Sequence, residues 1–195
     1  MTLIKDIGVE PSQVDMILIT HFHFDHISGL IDSIGNASFP NAAIYVSKKE
    51  NDYWFKNPNQ ILEKHKKRAK LVPNYFLPYM NANKYYTFSE YEFFAEGIRA
   101  IPAYGHTMGH TIFSFESSNH TLWCIGDLIH MKEIQFDHPR LGISYDSKPE
   151  IAVESRMKLF EQADKKRVYI AASHDFNFLK ISLKDNKYVA IPVNE

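Results

Sequence analysis

Apolar residues fall in short runs separated by turn residues, the spacing of a chain with many short strands. Val14 to Thr20 (VDMILIT) is rich in β-branched and aliphatic side chains and follows the turn signal Glu10-Pro11-Ser12, so it predicts a buried strand that ends at His21. Similar runs predict strands at Ala43 to Val46, Tyr91 to Ala95, Ile98 to Pro102, Thr111 to Phe115, Thr121 to Ile125, Val168 to Ala172 and Val189 to Pro192. Glu96-Gly97 and Ser117 to His120 predict hairpin turns. Helices are predicted over Ile27 to Ile34, Lys48 to Phe55, Gln60 to Val72 and Lys148 to Ala163, the last with Ile151, Val153, Met157 and Phe160 near helical spacing. Residues 73 to 90, rich in Pro, Asn and Tyr, read as a long loop. Strand pairs with interspersed helices make an α/β layered fold with a mixed sheet.

Length changes this picture little: 195 residues with 45% apolar content suit one core, and a single domain over 1–195 is expected. Charge narrows the partners. With 22 Lys plus Arg against 23 Asp plus Glu, no basic stripe awaits a nucleic acid. The lone cysteine, Cys124, sits in the apolar run Leu122 to Ile125 and is expected to be structural. No leader-like segment opens the chain and no run is long enough to span a membrane, so a soluble, cytoplasmic protein is expected.

The ten histidines carry the chemistry. His21-Phe22-His23-Phe24-Asp25-His26 places four ligand-type side chains in six positions after a strand. Alternation puts His21 and His23 on one side, so both can reach one cation, while Asp25 and His26 can face a neighbouring one. Without a cation such neighbours repel or compete. Further ligands are offered at the ends of other strands by His106 in YGHTMGH, Asp127 in CIGD and His174 in AASHD. His65 and His120, in a Lys-rich helix and a polar turn, read as surface residues.

The sequence THFHFDH, then GHTMGH, GD and SHD, resembles the metallo-β-lactamase superfamily, whose ligand pattern is HxHxDH followed by separate His, Asp and His. FPNA, NDYWF, GDLIHMKEIQFDHP, IAASH and IPVN are similar in wording to methyl parathion hydrolases and their lactonase-like relatives. The resemblance implies an αββα sandwich and two divalent metal ions, with zinc the default and Co, Mn or Fe also accommodated by such ligands. It places His21, His23 and His106 on the first ion, Asp25, His26 and His174 on the second, and Asp127 on both. It implies a second-sphere role for His110, with Thr107 beside it, and makes Trp54 the best pocket candidate, while Phe24 and Phe136, from an aromatic-rich supply, and His130 are further candidates to line substrate.

The expected activity is hydrolysis of a lactone, aryl ester or similar ester by a metal-bridging hydroxide, with Asp25 as proton shuttle and Asp127 essential, and with phosphotriester cleavage as a side activity. His130 stands three positions after Asp127, where acyl-homoserine lactonases often carry tyrosine. The HxHxDH motif arrives at His21, whereas chains of this superfamily usually place several strands before it, so the sandwich is expected to lack N-terminal strands. The exposed edge left behind favours association with another chain, including a homodimer. The alternative reading is a truncated, partner-dependent or inactive metal-binding remnant.

Overall fold

The computed structural model describes residues 2–175, 177–185 and 187–193, and the chain divides into two compact units, Met1–Ser89 and Glu90–Glu195. The first unit runs α1 (Thr2–Asp6), β1 (Met16–Ile19), α2 (Phe24–Ile27), β2 (Ala43–Ser47), α3 (Lys48–Asn51), α4 (Lys66–Ala69), α5 (Val72–Asn81) and β3 (Tyr85–Phe88). Its sheet has the order β1-β2-β3, parallel throughout. Such a sheet wants both faces covered. Ile19, Ile44 and Val46 are accordingly buried, as are Phe22, Ile27, Val72, Phe76 and Tyr79.

Three expectations are corrected here. Residues 73 to 90 are not a loop but carry α5 and β3. Pro73 occupies the start of α5, where its missing N–H costs nothing, and Val72, Phe76 and Tyr79 recur at helical spacing on the buried face. Tyr79 then fixes the connection before β2, its hydroxyl donating to Leu30 O at 2.7 Å and accepting from Phe39 N–H at 3.2 Å. The helix expected over 27 to 34 is a single turn, α2, followed by a 3₁₀ turn at Ser28–Leu30. The helix expected over 60 to 72 breaks into a 3₁₀ turn, Glu63–His65, and the short α4.

The second unit contains β4 (Phe93–Ala95), β5 (Ile98–Pro102), β6 (Thr111–Ser117), β7 (His120–Cys124), α6 (Lys132–Gln135), α7 (Pro149–Lys166), β8 (Tyr169–Ala171), β9 (Leu179–Lys184) and β10 (Lys187–Pro192). Its seven strands lie in the order β10-β9-β8-β7-β6-β5-β4, antiparallel except for β7 with β8. A parallel neighbour needs a crossover, and the segment containing α6 and α7 supplies it. Both predicted hairpin turns occur, with Gly97 at φ +75 in the β4–β5 turn and Ser118 at φ +51 in the β6–β7 turn. Helix α7 buries Ala152, Arg156, Leu159, Phe160 and Ala163, one face at helical spacing. Leu159, Phe160 and Ala163 join Ile112, Trp123, Ile125, Phe136, Ile170 and Leu179 in the core.

The charged member of that face has an ordering role. Arg156 is 1% exposed, and its guanidinium donates to Leu128 O, Pro139 O and Leu141 O, each at 2.8 Å. Burial draws its pKa down, opposed by the nearby Asp146 charge. One side chain of α7 thus ties three carbonyls of the 128–141 segment. Replacing Arg156 by Met keeps the stem and removes the donors, which is expected to destabilise the protein by about 3 kcal/mol. A thermal melt within 2 °C of wild type would contradict this, since about 3 kcal/mol corresponds to roughly 6–12 °C at this chain length.

Candidate metal centre

In the first unit β1 delivers the chain at Thr20, and His23 is the N-cap residue of α2. His21 follows the strand outside any helix and His23 is on extended backbone, whereas Asp25 and His26 lie within the helical turn. Asp25 in the first turn also complements the helix dipole. The His21 and His23 rings stand edge to face with centroids 4.7 Å apart, and those of His21 and His26 lie 4.0 Å apart. Ligand atoms of His21 and His23 fall within 4.8 Å of each other, as do those of Asp25 and His26. His21 is 0% exposed and His23 6%, so the two rings meet away from water. Thr20 Oγ1 lies 3.1 Å from His21 Nδ1, orienting the ring from its far side.

In the second unit Asp127 follows β7 in a 3₁₀ turn, Gly126–Leu128, and is 2% exposed. Oδ2 lies 3.1 Å from His106 Nε2 and 3.4 Å from His130 Nδ1, while Oδ1 lies 3.3 Å from His174 Nε2. The two carboxylate oxygens therefore serve different imidazoles. His110 fixes this residue from behind: its Nε2 accepts the Asp127 N–H at 3.0 Å and its Nδ1 donates to Ala103 O at 3.0 Å. Both ring nitrogens of His110 are thereby engaged in positioning. Thr107 is fully buried, and its carbonyl accepts the Gly105 N–H at 3.0 Å.

His106 is held at its other nitrogen by Asp146, with Nδ1 and Oδ1 3.0 Å apart. Burial lowers the His106 pKa, but the hydrogen bonds that it donates to Asp127 and Asp146 outweigh it and raise the value to about 8. With Nδ1 committed to Asp146, Nε2 is the nitrogen left to face Asp127, and it is the atom that could take a cation in place of a proton. Asp146 is itself anchored by Ile143 N–H at 2.9 Å, and despite burial these partners hold its carboxyl below the usual range. Lys132 Nζ reaches Asp175 Oδ2 at 2.6 Å and so fastens the residue next to His174. Gln135 Oε1 accepts the N–H groups of His130 and Met131 at 2.7 and 3.1 Å, shaping the segment after Asp127.

The residues expected to line a substrate pocket divide. His130 is partly exposed, with its ring 3.9 Å from that of His174 and 5.5 Å from Tyr145. Phe24 is half-buried, with its ring edge-on to Tyr75. Phe136 instead belongs to the core, stacked on Phe160 at 5.1 Å, because the turn after α6 directs it inward. Trp54 is only 4% exposed, with its indole N–H given to Glu50 and its ring stacked on His65 at 5.4 Å. His65, expected at the surface, is 3% exposed and has Nδ1 3.3 Å from the Tyr53 hydroxyl. The 3₁₀ turn at Glu63–His65 points its lysine neighbours outward and His65 inward. His120 is exposed as expected.

Four imidazole or carboxylate donors in one unit and three in the other are those the sequence singled out, and their chemistry fits a borderline divalent cation such as zinc. Sequence reasoning missed Glu50, Asp146 and Arg156, which meet Phe22, His106 and Leu128 across long stretches of chain, and Gln135, whose partners His130 and Met131 are near in sequence. Residues 1–174 match the metallo-beta-lactamase superfamily. The chain belongs to this superfamily. As a member it shares its fold with the hydrolase AbOPH of the beta-lactamase superfamily, with TM-score 0.92 and 32% identity, covering 100% of this chain and 69% of that one. AidC, a dizinc quorum-quenching lactonase, aligns with TM-score 0.88 and 27% identity, covering 100% of this chain and 69% of that one.

N-acyl homoserine lactonase AiiA of Bacillus thuringiensis subsp. kurstaki is 25% identical over 178 residues, which are 90% of this chain and 61% of the relative. This superfamily chain thus spans 61% of the length of the curated relatives it matches. The mixed α/β architecture read from the sequence is that of the metallo-beta-lactamase fold. Among the described residues, no helix is long and apolar enough to cross a membrane.

Proposed function

We propose that the two units act as one hydrolytic domain, with His21, His23 and His106 holding one divalent cation, Asp25, His26 and His174 a second, and Asp127 shared. The observation that supports this most is the division of the buried Asp127 carboxylate, Oδ2 toward His106 and Oδ1 toward His174, which would let one residue serve both cations. Bound there, a pair of divalent cations, zinc by default, supplies an acidified water and a polarised carbonyl for hydrolysis. Asp146 keeps the His106 proton on Nδ1, so Nε2 faces the cation. His110 keeps the Asp127 main chain in place. Asp25, 59% exposed beside His26, carries a proton between the site and bulk water and on to the leaving group.

The substrate class is an ester, with a lactone or aryl ester in the lead and phosphotriester cleavage as a side activity. The lactonase relatives support the lactone. A neutral ester also suits the half-buried aromatic Phe24 and the partly exposed His130 better than a polyanion does. A second reading, a metal-binding chain that turns over substrate only with further polypeptide or a second copy, draws on the 61% share of the relatives' length.

Elemental analysis of zinc-loaded protein, thermal melting with and without chelator, and a panel of lactone, aryl ester and phosphotriester test both. The expected result is a pair of zinc ions per chain, a melt raised by zinc through mass action, and lactone or aryl-ester turnover abolished by chelator. Metal uptake without turnover favours the second reading, and protein that takes up no metal removes both.

A further inference from the structure

The first half-site rests on a buried carboxylate that is not among its metal donors. Glu50, in α3, is 1% exposed, and its Oε1 accepts two hydrogen bonds, from Phe22 N–H at 3.0 Å and from Trp54 Nε1 at 2.8 Å. Burying a carboxylate is expensive unless donors meet it, and an apolar residue at position 50 would avoid that cost. The geometry of the two donors shows what the carboxylate does.

Phe22 is the residue between His21 and His23, and its amide cannot move without carrying both imidazoles. Its ring, 1% exposed, is held against Phe76 at 4.5 Å and Phe55 at 5.8 Å, so Glu50 fixes the main chain where packing fixes the side chain. The second donor reaches His23 by another route. A π-helical turn, Asp52–Lys56, brings Trp54 round to Glu50, and the indole stacks on His65, whose ring stands edge-on to His23 at 5.8 Å. Such turns are frequent at functional sites. One oxygen atom therefore joins the backbone between two ligands to the aromatic stack beside one of them.

We propose that Glu50 is the positioning residue of the first half-site: its carboxylate sets the spacing of His21 and His23, and with it their affinity for a divalent cation. This rests on the metal reading of those histidines. Zinc affinity by chelator competition, the visible spectrum of the cobalt-substituted protein and hydrogen exchange of the Phe22 amide test it in wild type, Glu50→Ala, Glu50→Gln, Trp54→Phe and Val72→Ala.

Glu50→Ala is expected to weaken zinc binding by roughly 10- to 100-fold, the usual effect of losing a partner that orients a ligand, to alter the cobalt spectrum and to unprotect the Phe22 amide. Glu50→Gln retains an acceptor oxygen and is expected to restore affinity to within roughly threefold. Val72→Ala empties core volume in the same unit and is expected to lower the melting temperature with zinc affinity unchanged. Wild-type zinc affinity in Glu50→Ala overturns the proposal, and so does an equal loss in Val72→Ala. Should Glu50→Ala fail to fold, Trp54→Phe decides: a wild-type cobalt spectrum and affinity there overturn it, and a several-fold loss supports it. Failure of wild type to bind zinc refutes the metal reading instead, and the Phe22 exchange data then report whether Glu50 positions the loop at all.

Discussion

Replacing Asp127 by Ala is expected to abolish ester hydrolysis and to remove the zinc-dependent gain in melting temperature, while leaving the zinc-free protein as stable as wild type or more so. The first two effects follow from the shared role proposed for this carboxylate, whose two oxygens address different histidines. Losing a residue that merely orients a ligand costs about 10- to 100-fold in affinity or activity, so losing a carboxylate shared by both cations must cost more. The third effect separates chemistry from folding. Asp127 is 2% exposed, and a buried carboxylate is held at a desolvation cost that its neighbours only partly offset. Removing it leaves His106 still bonded to Asp146, with no charge stranded on the imidazole once Nε2 gives up its proton. Asp127→Asn provides the charge control, since it keeps the shape and one carbonyl oxygen. Steady-state hydrolysis, metal content and melts with and without zinc report all three effects. Near-wild-type turnover in Asp127→Ala would falsify the proposed site, and collapse of the zinc-free protein would reveal a folding role in place of a catalytic one.

What the sequence revealed of this site, and what it hid, follows the range of the interactions. His21, His23, Asp25 and His26 were legible because four donors crowd six positions, a density that only local sequence is needed to see. His106, Asp127 and His174 were legible because each ends an apolar run and matches a superfamily position. Glu50 and Asp146 were not, since they meet Phe22 and His106 across 28 and 40 residues and nothing in their own neighbourhoods marks them.

The same contrast governs the fold. Hairpins announced by Glu96-Gly97 and Ser117 to His120 appear where expected, because turn geometry is local. Helix α5 was hidden by two prolines and polar residues, since its stability lies in burying Val72, Phe76 and Tyr79 against elements distant in sequence. Strand β9 could have been found: Leu179, Ile181 and Leu183 alternate with lysine and serine, the period of a half-buried strand.

The largest effect expected on stability is that of Gly105→Ala, at about 4 kcal/mol, with loss of zinc from the site in the protein that still folds. Gly105 precedes His106 and adopts φ +117, a backbone region that residues with a Cβ rarely enter. A methyl group there would lie 2.0 Å from Ala152 N and 2.4 Å from Ala152 Cα, which are backbone atoms of the first turn of α7 and cannot rotate away. The close approach is also bonded. Gly105 O accepts the Lys148 N–H at 2.9 Å, and His106 O accepts the Ser147 N–H at 2.9 Å, so the segment bearing Asp146 is stitched to the segment bearing His106. Relieving the clash must pull these strands of chain apart and lengthen the 3.0 Å contact between Asp146 Oδ1 and His106 Nδ1. Stability and metal affinity therefore fall together in Gly105→Ala. In Gly35→Ala, at a glycine with φ +89 and nothing within 4 Å of the added methyl, only the conformational cost of about 1 kcal/mol remains and zinc binding is unchanged. Denaturant melts and zinc competition on the two variants decide the matter, and equal losses in both would mean that the contact with α7 does not set the position of His106.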